Sequence, residues 1–459
     1  MSVLVSAHVI ESTVSAGHDR SSVRRLTSLL TATSAVTAAN VYLSQPLLGA
    51  AAVSLHAGPD TLAAVPTATQ LGYAVGILLL VPAGDSHDRR KLILGLVTAS
   101  AVALAGCALA PSVGLLVVSG FAVGLLSPVP QLITPLAVAL ARDMGTAGAG
   151  AGRIVGTVQG GLLVGVLASR AYSGALAELA GWRAVFGCSC LLTLLLVLVL
   201  RGALPHVPAA TCATSYRATL SSLPRLLLRH QPVRRITVSG ALVGIAFGAF
   251  WTTLTFLLEQ RYHVGPTGIG LFGLVAAASA LLSPLAGRLA DRAGRRRALA
   301  ALIGLVVAGW LVLLPGGTRF WWLVAGVVVL DAGVWGGQAV SQTVLFTLDP
   351  RIHSRLNTLY FTFRFLGIAL GSLAGSLAWA AGGWPAVVGT GLVAAVAGLV
   401  VGVLPGGDGD RPPPDAGAGG PGQPVSGWRA GRRTGPYPSR TAWLRRRRTA
   451  CGPSGSRPS

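Results

Sequence analysis

The chain has few charged residues, and acids are the scarcest of them. Only 11% of its 459 residues are Asp, Glu, Lys or Arg, less than half the share found in an average soluble domain. Hydrophobic residues make up 52% of the chain. This composition excludes an ordinary soluble domain and favours lipid as the solvent of most of the chain.

The chain also lacks the residue clusters that most enzymes need. Its five cysteines show no metal-ligand spacing, and Cys188 and Cys190 lie within an apolar run, so we interpret them as small buried side chains. The eight histidines are scattered and form no catalytic group with acids. No phosphate-binding Gly-x-x-x-x-Gly-Lys-Ser/Thr loop is present. We therefore expect no metal, no cofactor, no direct use of ATP and no enzyme activity.

Long apolar runs fill most of the sequence instead. Their length of about 20 residues is that of a helix that crosses a bilayer, where a segment must satisfy its own backbone hydrogen bonds. The fourth run should kink, because it contains Pro128, Pro130 and Pro135. The runs predict twelve helices at 26–50, 61–82, 92–110, 113–141, 154–170, 183–200, 236–258, 267–287, 298–315, 320–346, 356–380 and 385–404.

Basic residues occur in alternate connections between these helices. The rich connections include Arg89 to Lys91, Arg295 to Arg297 and the segment 201–235, and the connections between them hold few basic residues. Because basic loops stay in the cytoplasm, both termini are predicted to be cytoplasmic. The net charge of +22 is then explained by loop topology and lipid headgroups, without nucleic acid. Lys91 is the only lysine, and this bias towards Arg is typical of GC-rich coding, so we expect a bacterial cytoplasmic membrane.

The basic segments also divide the chain. We predict an all-α membrane protein with two six-helix bundles, separated by a basic loop and followed by an Arg-, Gly- and Pro-rich disordered tail. The predicted parts are a cytoplasmic N-terminal segment 1–25, an N-terminal bundle 26–200, a central cytoplasmic loop 201–235, a C-terminal bundle 236–404 and a cytoplasmic tail 405–459.

Similar features recur six helices apart. The connection from Gly84 to Lys91 reads GDSHDRRK, and the one from Gly287 to Arg297 reads GRLADRAGRRR. Gly181-Trp182 before helix 6 matches Gly383-Trp384 before helix 12. This spacing predicts two parallel repeats related by an axis along the membrane normal.

The second connection resembles the signature loop of the major facilitator superfamily, Gly-x-x-x-Asp-Arg/Lys-x-Gly-Arg-Arg/Lys. The first copy is compressed and has Asp88 where Gly is usual. Segments at Tyr42 to Pro46 and Gly156 to Arg170 are similar to a bacterial efflux-type branch, as are those at Phe250 to Thr253 and Arg355 to Tyr360. The resemblance covers residues 26–404 and implies the twelve-helix major facilitator fold.

In that family the acids of the two signature loops cap helix N-termini across the seam between the bundles, the first on helix 11 and the second on helix 5. The loops would then latch the cytoplasmic side shut, although Arg after a helix also serves topology alone. The residues assigned to this latch are Gly84, Asp85, Arg89, Arg90, Gly287, Asp291, Arg292, Gly294, Arg295 and Arg296.

Asp331 is the acid that lies deep inside a predicted helix. A carboxylate at the bilayer centre costs about 2.5–3.5 kcal/mol, so it should face a cavity or a partner. It is a candidate for proton coupling or for substrate binding, with a structural ion pair as the alternative. Arg364 could pair with it, which would favour the charged carboxylate and make Asp331 a gate or brace, or could face the cavity and bind an anionic solute.

Other polar and aromatic side chains in the runs complete the expected cavity, although each singly could serve as glue between helices. These are Tyr42, Gln45, Gln131, Trp251, Trp335, Gln338, Gln342 and Tyr360. Small residues on helix 5, at Gly156, Gly160, Gly161 and Gly165, predict close helix packing at the seam.

The function that these patterns favour is secondary active transport by alternating access, with proton-coupled efflux of small or amphiphilic compounds as the first hypothesis. A nutrient importer or facilitator of the same fold is the second, and a membrane enzyme or a non-transporting receptor is a remote third. The expected partners are a small-molecule substrate, protons and membrane lipids, with the monomer as the working unit.

Overall fold

The computed structural model describes residues 24–134, 136, 149–204, 216–280, 292, 294–345, 348 and 352–403. Most of these residues are helical, and no strand occurs among them. Within them, ten helices are long and apolar enough to cross a membrane. The segment 1–23 and the predicted tail 405–459 lie outside the described residues.

The helices follow the predicted order, and we number them 1 to 12 accordingly. The last long helix holds two of them, because Gly382 and Gly383 leave the helical conformation and Gly383 has φ 61°. The bounds are Arg24–Ser54, Ala64–Ser86, Arg89–Ala108, Val113–Thr134, Ala149–Ala180, Trp182–Ala203, Gln231–Tyr262, Pro266–Ala280, Arg295–Leu313, Phe320–Leu345 and, for helices 11 and 12 together, His353–Val403.

Helix 1 is interrupted, although the sequence analysis predicted one continuous helix. Turns replace the helix over 41–44, and a short 3₁₀ helix, Gln45–Leu47, precedes the final segment Leu48–Ser54. Pro46 explains the break, because it has no N–H to donate and its ring clashes with the preceding turn. Beside the break, the carbonyl of Gln45 accepts a hydrogen bond from Oγ1 of Thr255 in helix 7 at 3.0 Å.

Helices 4 and 5 also differ from regular helices of the predicted length. Helix 4 loses its regular structure at 127–128, as expected from Pro128. Helix 5 was predicted to end at residue 170, and this boundary was wrong. The helix continues to Ala180 and ends before Gly181, whose φ of 83° suits glycine.

The central segment contains a helix that the sequence analysis had treated as loop. This linker helix, Tyr216–Arg229, buries Thr219 and Leu223. The hydroxyl of Tyr216 donates to the carbonyl of Leu79 in helix 2 at 3.0 Å. The helix is amphipathic, with arginines on one face and most of its leucines on the other, which is the pattern of a helix that packs along one side.

Glycines bring helix backbones into direct contact in both halves. A Cβ atom on Gly165 would collide with the carbonyl of Ala35 in helix 1, and one on Gly367 would collide with the carbonyl of Ala241 in helix 7. Gly161 packs against Thr31 in the same way. Gly156 and Gly160 are exposed with open space beside them, so the close packing predicted for all four glycines of helix 5 involves Gly161 and Gly165.

Candidate functional site

Arg170 of helix 5 is buried between the two halves of the chain, with 3% of its surface exposed. Its Nε donates a hydrogen bond to Oε1 of Gln45 at 3.2 Å. Its guanidinium carbon lies 3.5 Å from the centroid of the Trp251 ring and 5.6 Å from that of Tyr42. A guanidinium stacks well on aromatic faces because it is planar, cationic and weakly hydrated. These contacts join helices 1 and 5 to helix 7.

Asp331 of helix 10 is the carboxylate that faces Arg170 and its aromatic neighbours. It is 1% exposed, and its Oδ1 accepts no hydrogen bond. It interacts electrostatically with Arg170 and, more weakly, with Arg364. The indole groups of Trp251 and Trp335 lie beside it. An acid of the C-terminal half therefore faces a base of the N-terminal half inside the membrane span.

The sequence analysis missed Arg170 as a site residue, because it assigned Arg170 to the end of helix 5. A signal was present in the sequence. The residues from Ala171 to Ala180 continue the apolar helical pattern up to the glycine at 181, where a helix normally stops. A single Arg inside such a run is a candidate functional group and not a boundary.

A central cavity lies beside Arg170 and Asp331, since their neighbours Tyr42 and Trp335 line its wall. Both halves form its wall, and five of the predicted cavity residues lie there: Tyr42, Gln131, Trp335, Gln338 and Arg364. The remaining lining is largely aromatic and aliphatic, including Phe247, Phe361 and Phe365. A smaller cavity is also lined by Gln338 and Arg364, together with Tyr360.

Hydrogen bonds connect the halves on one side of the central cavity. Gln342 of helix 10 donates to Oδ1 of Asn357 in helix 11 at 3.3 Å, and Nδ2 of Asn357 donates to Oε1 of Gln131 in helix 4 at 3.3 Å. These residues lie towards the membrane face at which helix 1 begins, here called the near face. Asn357 is a member of the site that the sequence analysis did not include.

Helices 5 and 8 connect the halves towards the opposite, far face. A Cβ atom on Gly174 would collide with the carbonyl of Pro266, and one on Gly270 would collide with the carbonyl of Arg170. Gln45 adds its contacts to Arg170 and Thr255. The two halves therefore meet on both sides of the cavity, which they enclose between them.

The signature loops fix the ends of neighbouring helices. Nη2 of Arg90 donates to the carbonyl of Arg201 at the end of helix 6, and Nη2 of Arg296 donates to the carbonyl of Val403 at the end of helix 12. Cationic groups at these carbonyl ends stabilise a helix. The repeat inferred from sequence thus has a matching pair of contacts in the structure.

The latch itself stays a prediction. Gly287 and Asp291 lie outside the described residues, as does the side chain of Asp85. The carbonyl of Gly84 accepts a hydrogen bond from Nε of Arg89 at 2.9 Å, while Arg292 and Arg295 are exposed. Gly294 takes a φ of 81° just before helix 9.

The helical bundle and its enclosed central cavity define a multi-pass membrane protein of the transporter class. Residues 30–258 and 236–448 match the Major Facilitator Superfamily. The uncharacterized transporter YgaY of Escherichia coli O157:H7 is 34% identical over 374 residues, which cover 81% of this chain and 93% of that protein. A protein named "Probable transporter SCO4007" from Streptomyces coelicolor is 33% identical over 361 residues, 78% of this chain and 82% of that protein.

Solved structures have the same fold. The crystal structure of a mutant of the nucleoside transporter NupG superposes with a TM-score of 0.66 at 15% identity, covering 82% of this chain and 99% of that chain. The chain belongs to the major facilitator superfamily, and it is a transporter of that family.

Proposed function

We propose that this protein is a proton-coupled secondary transporter that exports small or amphiphilic compounds across the cytoplasmic membrane of a bacterium. It works as a monomer with both termini in the cytoplasm, and it acts as a transporter and not as an enzyme. The observation that supports proton coupling most directly is the burial of Asp331 opposite Arg170 of the other half.

Proton binding at Asp331 gives this arrangement two states. The charged carboxylate attracts Arg170 across the seam, whereas the protonated acid loses most of this attraction. Because the two groups belong to different halves, protonation weakens one of the contacts that hold the halves together towards the far face. A proton therefore biases the equilibrium between the two orientations of the halves.

The chemistry of the cavity supports an amphiphilic solute. Its lining combines aromatic rings with a few polar groups, which is the usual composition of a site for an apolar molecule with one polar end. The contacts on both sides of the cavity support alternating access, because each set must open in turn to admit or release the solute.

Uptake is the second candidate function. The observation that supports it is the excess of buried positive charge. Arg170 and Arg364 outnumber the single buried acid of the described residues. A proton on Asp331 removes a negative charge from the cavity region, so an anionic solute and a proton would promote the binding of each other. Cotransport of the two in one direction is the corresponding mechanism.

Replacement of Asp331 by Asn tests proton coupling. A strain that expresses the protein is first screened on a panel of amphiphilic toxins and metabolites, where resistance favours export and rescue of an auxotroph favours uptake. With a compound found in this way, purified protein in liposomes should move it against its gradient when a pH gradient is imposed. Asp331→Asn should abolish this driven transport because the residue can no longer release a proton.

Two controls separate coupling from misfolding. Asp331→Asn should still exchange labelled compound between equal concentrations, which requires a folded cavity but no proton gradient. Glu259→Gln, which neutralises an acid of helix 7 packed against Gly49 of helix 1, should keep driven transport. Driven transport by the Asp331→Asn protein at the wild-type rate would contradict the proposal.

A further inference from the structure

The charges buried in the membrane span do not balance. Among the residues that the structure describes, the buried charged side chains are Arg170, Asp331 and Arg364, with exposed fractions of 3%, 1% and 3%. Two guanidinium groups thus share one carboxylate. A buried charge without a partner is strongly unfavourable, so the excess positive charge requires an anion or an aqueous cavity.

Arg170 already has neighbours that hold its charge. Gln45 accepts its hydrogen bond, Trp251 provides an aromatic face, and Asp331 interacts with it more strongly than with Arg364. These contacts compensate the charge of Arg170 within the protein, although its buried Nη2 makes no hydrogen bond. The remaining guanidinium, that of Arg364, belongs to the wall of the central cavity.

The surroundings of Arg364 fit an acid with an apolar body. Gln338 lies in the wall of both cavities beside it, and an amide can donate to an acid oxygen. Phe361, Phe365 and Phe247 line the central cavity around this polar end. Arg binds carboxylate and sulfonate groups well because its planar fork presents parallel donors.

We propose that the central cavity binds small organic anions, with Arg364 binding the carboxylate or sulfonate group and the phenylalanine-lined wall holding the apolar body. This inference names the substrate class of the proposed transport site, and it depends on that proposal only in taking the central cavity as the solute site. It does not depend on the direction of transport or on proton coupling.

The test uses pairs of compounds that differ only in charge. Benzoate and benzamide, 1-naphthoate and 1-naphthamide, and hexanoate and hexanamide are titrated calorimetrically into detergent-purified protein without any gradient. Because a hydrogen bond to a charged group is worth more than a neutral one, the best acid should bind about tenfold or more tightly than its amide.

Variants then assign the preference to Arg364. Arg364→Met should abolish the difference in affinity between each acid and its amide. Arg364→Lys should keep part of this difference, because the positive charge remains while the two parallel donors of the guanidinium are lost. Phe361→Leu is the matched control and should weaken both members of a pair alike. Asp331→Asn should keep or increase the preference, because it removes negative charge and leaves Arg364 in place.

The inference is overturned if wild-type protein binds each amide as tightly as its acid, if none of the acids binds at millimolar concentration, or if the preference survives Arg364→Met. Each of these results leaves the coupling test at Asp331 unaffected. Conversely, an anion preference that persists while Asp331→Asn retains driven transport would support the substrate class and reject proton coupling.

Discussion

Helices 5 and 11 occupy equivalent places in the two halves of the protein, yet their buried Arg residues lie at different depths. Arg170 lies 12 residues before Trp182, and Arg364 lies 20 residues before Trp384. At 1.5 Å per residue the eight-residue difference corresponds to roughly 12 Å along the helix axis. Arg170 therefore lies closer to the far face and Arg364 closer to the near face.

The equivalence of these helices rests on shared backbone contacts. Gly165 packs on Ala35 of helix 1, and Gly367 packs on Ala241 of helix 7. A glycine with positive φ follows each helix, at Gly181 and at Gly383, as do Trp182 and Trp384. Both halves therefore have glycines at equivalent positions, where they permit close approach of a helix pair.

Helices 5 and 11 share their packing glycines but differ in the polar side chains at other equivalent positions. When the two helices are aligned on Trp182 and Trp384, Ser372 corresponds to Arg170. The hydroxyl of Ser372 accepts a hydrogen bond from Thr252 at 2.8 Å. Leu162 corresponds to Arg364, and both line the central cavity. One side of the cavity is thus apolar where the other is cationic. The two halves thus share a packing scaffold, and the buried charges lie at positions where they differ.

The largest expected effect is that of removing Arg170. Arg170→Met leaves Asp331 buried without its main partner, which should lower the free energy of unfolding by about 3–5 kcal/mol. Ser372→Ala, at the equivalent position, removes one neutral hydrogen bond and should cost about 0.6 kcal/mol. SDS-induced unfolding of the purified proteins measures both values.

A double variant checks the cause. Arg170→Met combined with Asp331→Leu removes both charges and should recover most of the lost stability, because an apolar pair replaces the ionic one. Equal losses of stability for Arg170→Met and Ser372→Ala would contradict the role of Arg170 as the main partner of Asp331.

Substitution of the packing glycines should have the next largest effect. Gly165→Ala and Gly367→Ala each force apart a pair of helix backbones, and each should destabilise the protein by about 1–3 kcal/mol in the same unfolding measurement. Gly156→Ala and Gly160→Ala are the matched controls. Because space is open beside them, they should leave stability unchanged or raise it by up to about 1 kcal/mol.

This glycine series also tests the symmetry. Similar losses at residues 165 and 367 are expected if the halves use the same packing, and a loss at only one of them would mean that the two interfaces are not equivalent. Destabilisation by Gly156→Ala would contradict the open space observed there.

Removal of the helix cap in the first signature loop should have a smaller effect than loss of the buried ion pair or of the packing glycines. Asp88 caps helix 3 by accepting hydrogen bonds from the backbone N–H groups of Arg90 and Lys91, whereas Gly294 precedes helix 9 with a positive φ. Asp88→Ala should cost about 1 kcal/mol, and Asp88→Gly only a few tenths. Thermal unfolding of the pair distinguishes them, and equal losses would exclude a capping role for the Asp88 side chain.

The sequence predicted the architecture well and the site in part. Apolar runs and alternating basic loops are long-range patterns, so the helix order and the fold were accessible. Polar residues inside apolar runs predicted Asp331, Arg364 and Gln338 as site residues, and the structure places Arg364 and Gln338 in the wall of the central cavity. Arg170 was missed because a single Arg near an expected boundary was assigned to topology.

Other features depend on contacts that no local pattern encodes. Asn357 links helices 10 and 4 only because helix 11 passes between them. The break in helix 1 did have a local signal, since Pro46 cannot continue a hydrogen-bonded helix. The hydrogen bond from Thr255 to the carbonyl of Gln45 had no such signal, because it depends on the position of helix 7.

Among the residues that the structure describes, the excess of buried guanidinium over buried carboxylate also bears on ion leakage. Under the proposed alternating access, the cavity opens once to each side in every transport cycle and is then exposed to sodium and potassium. Fixed positive charge in the cavity repels such cations, as fixed charges do in selective pores. Arg170 and Arg364 would thus help the membrane to keep its voltage while the protein turns over.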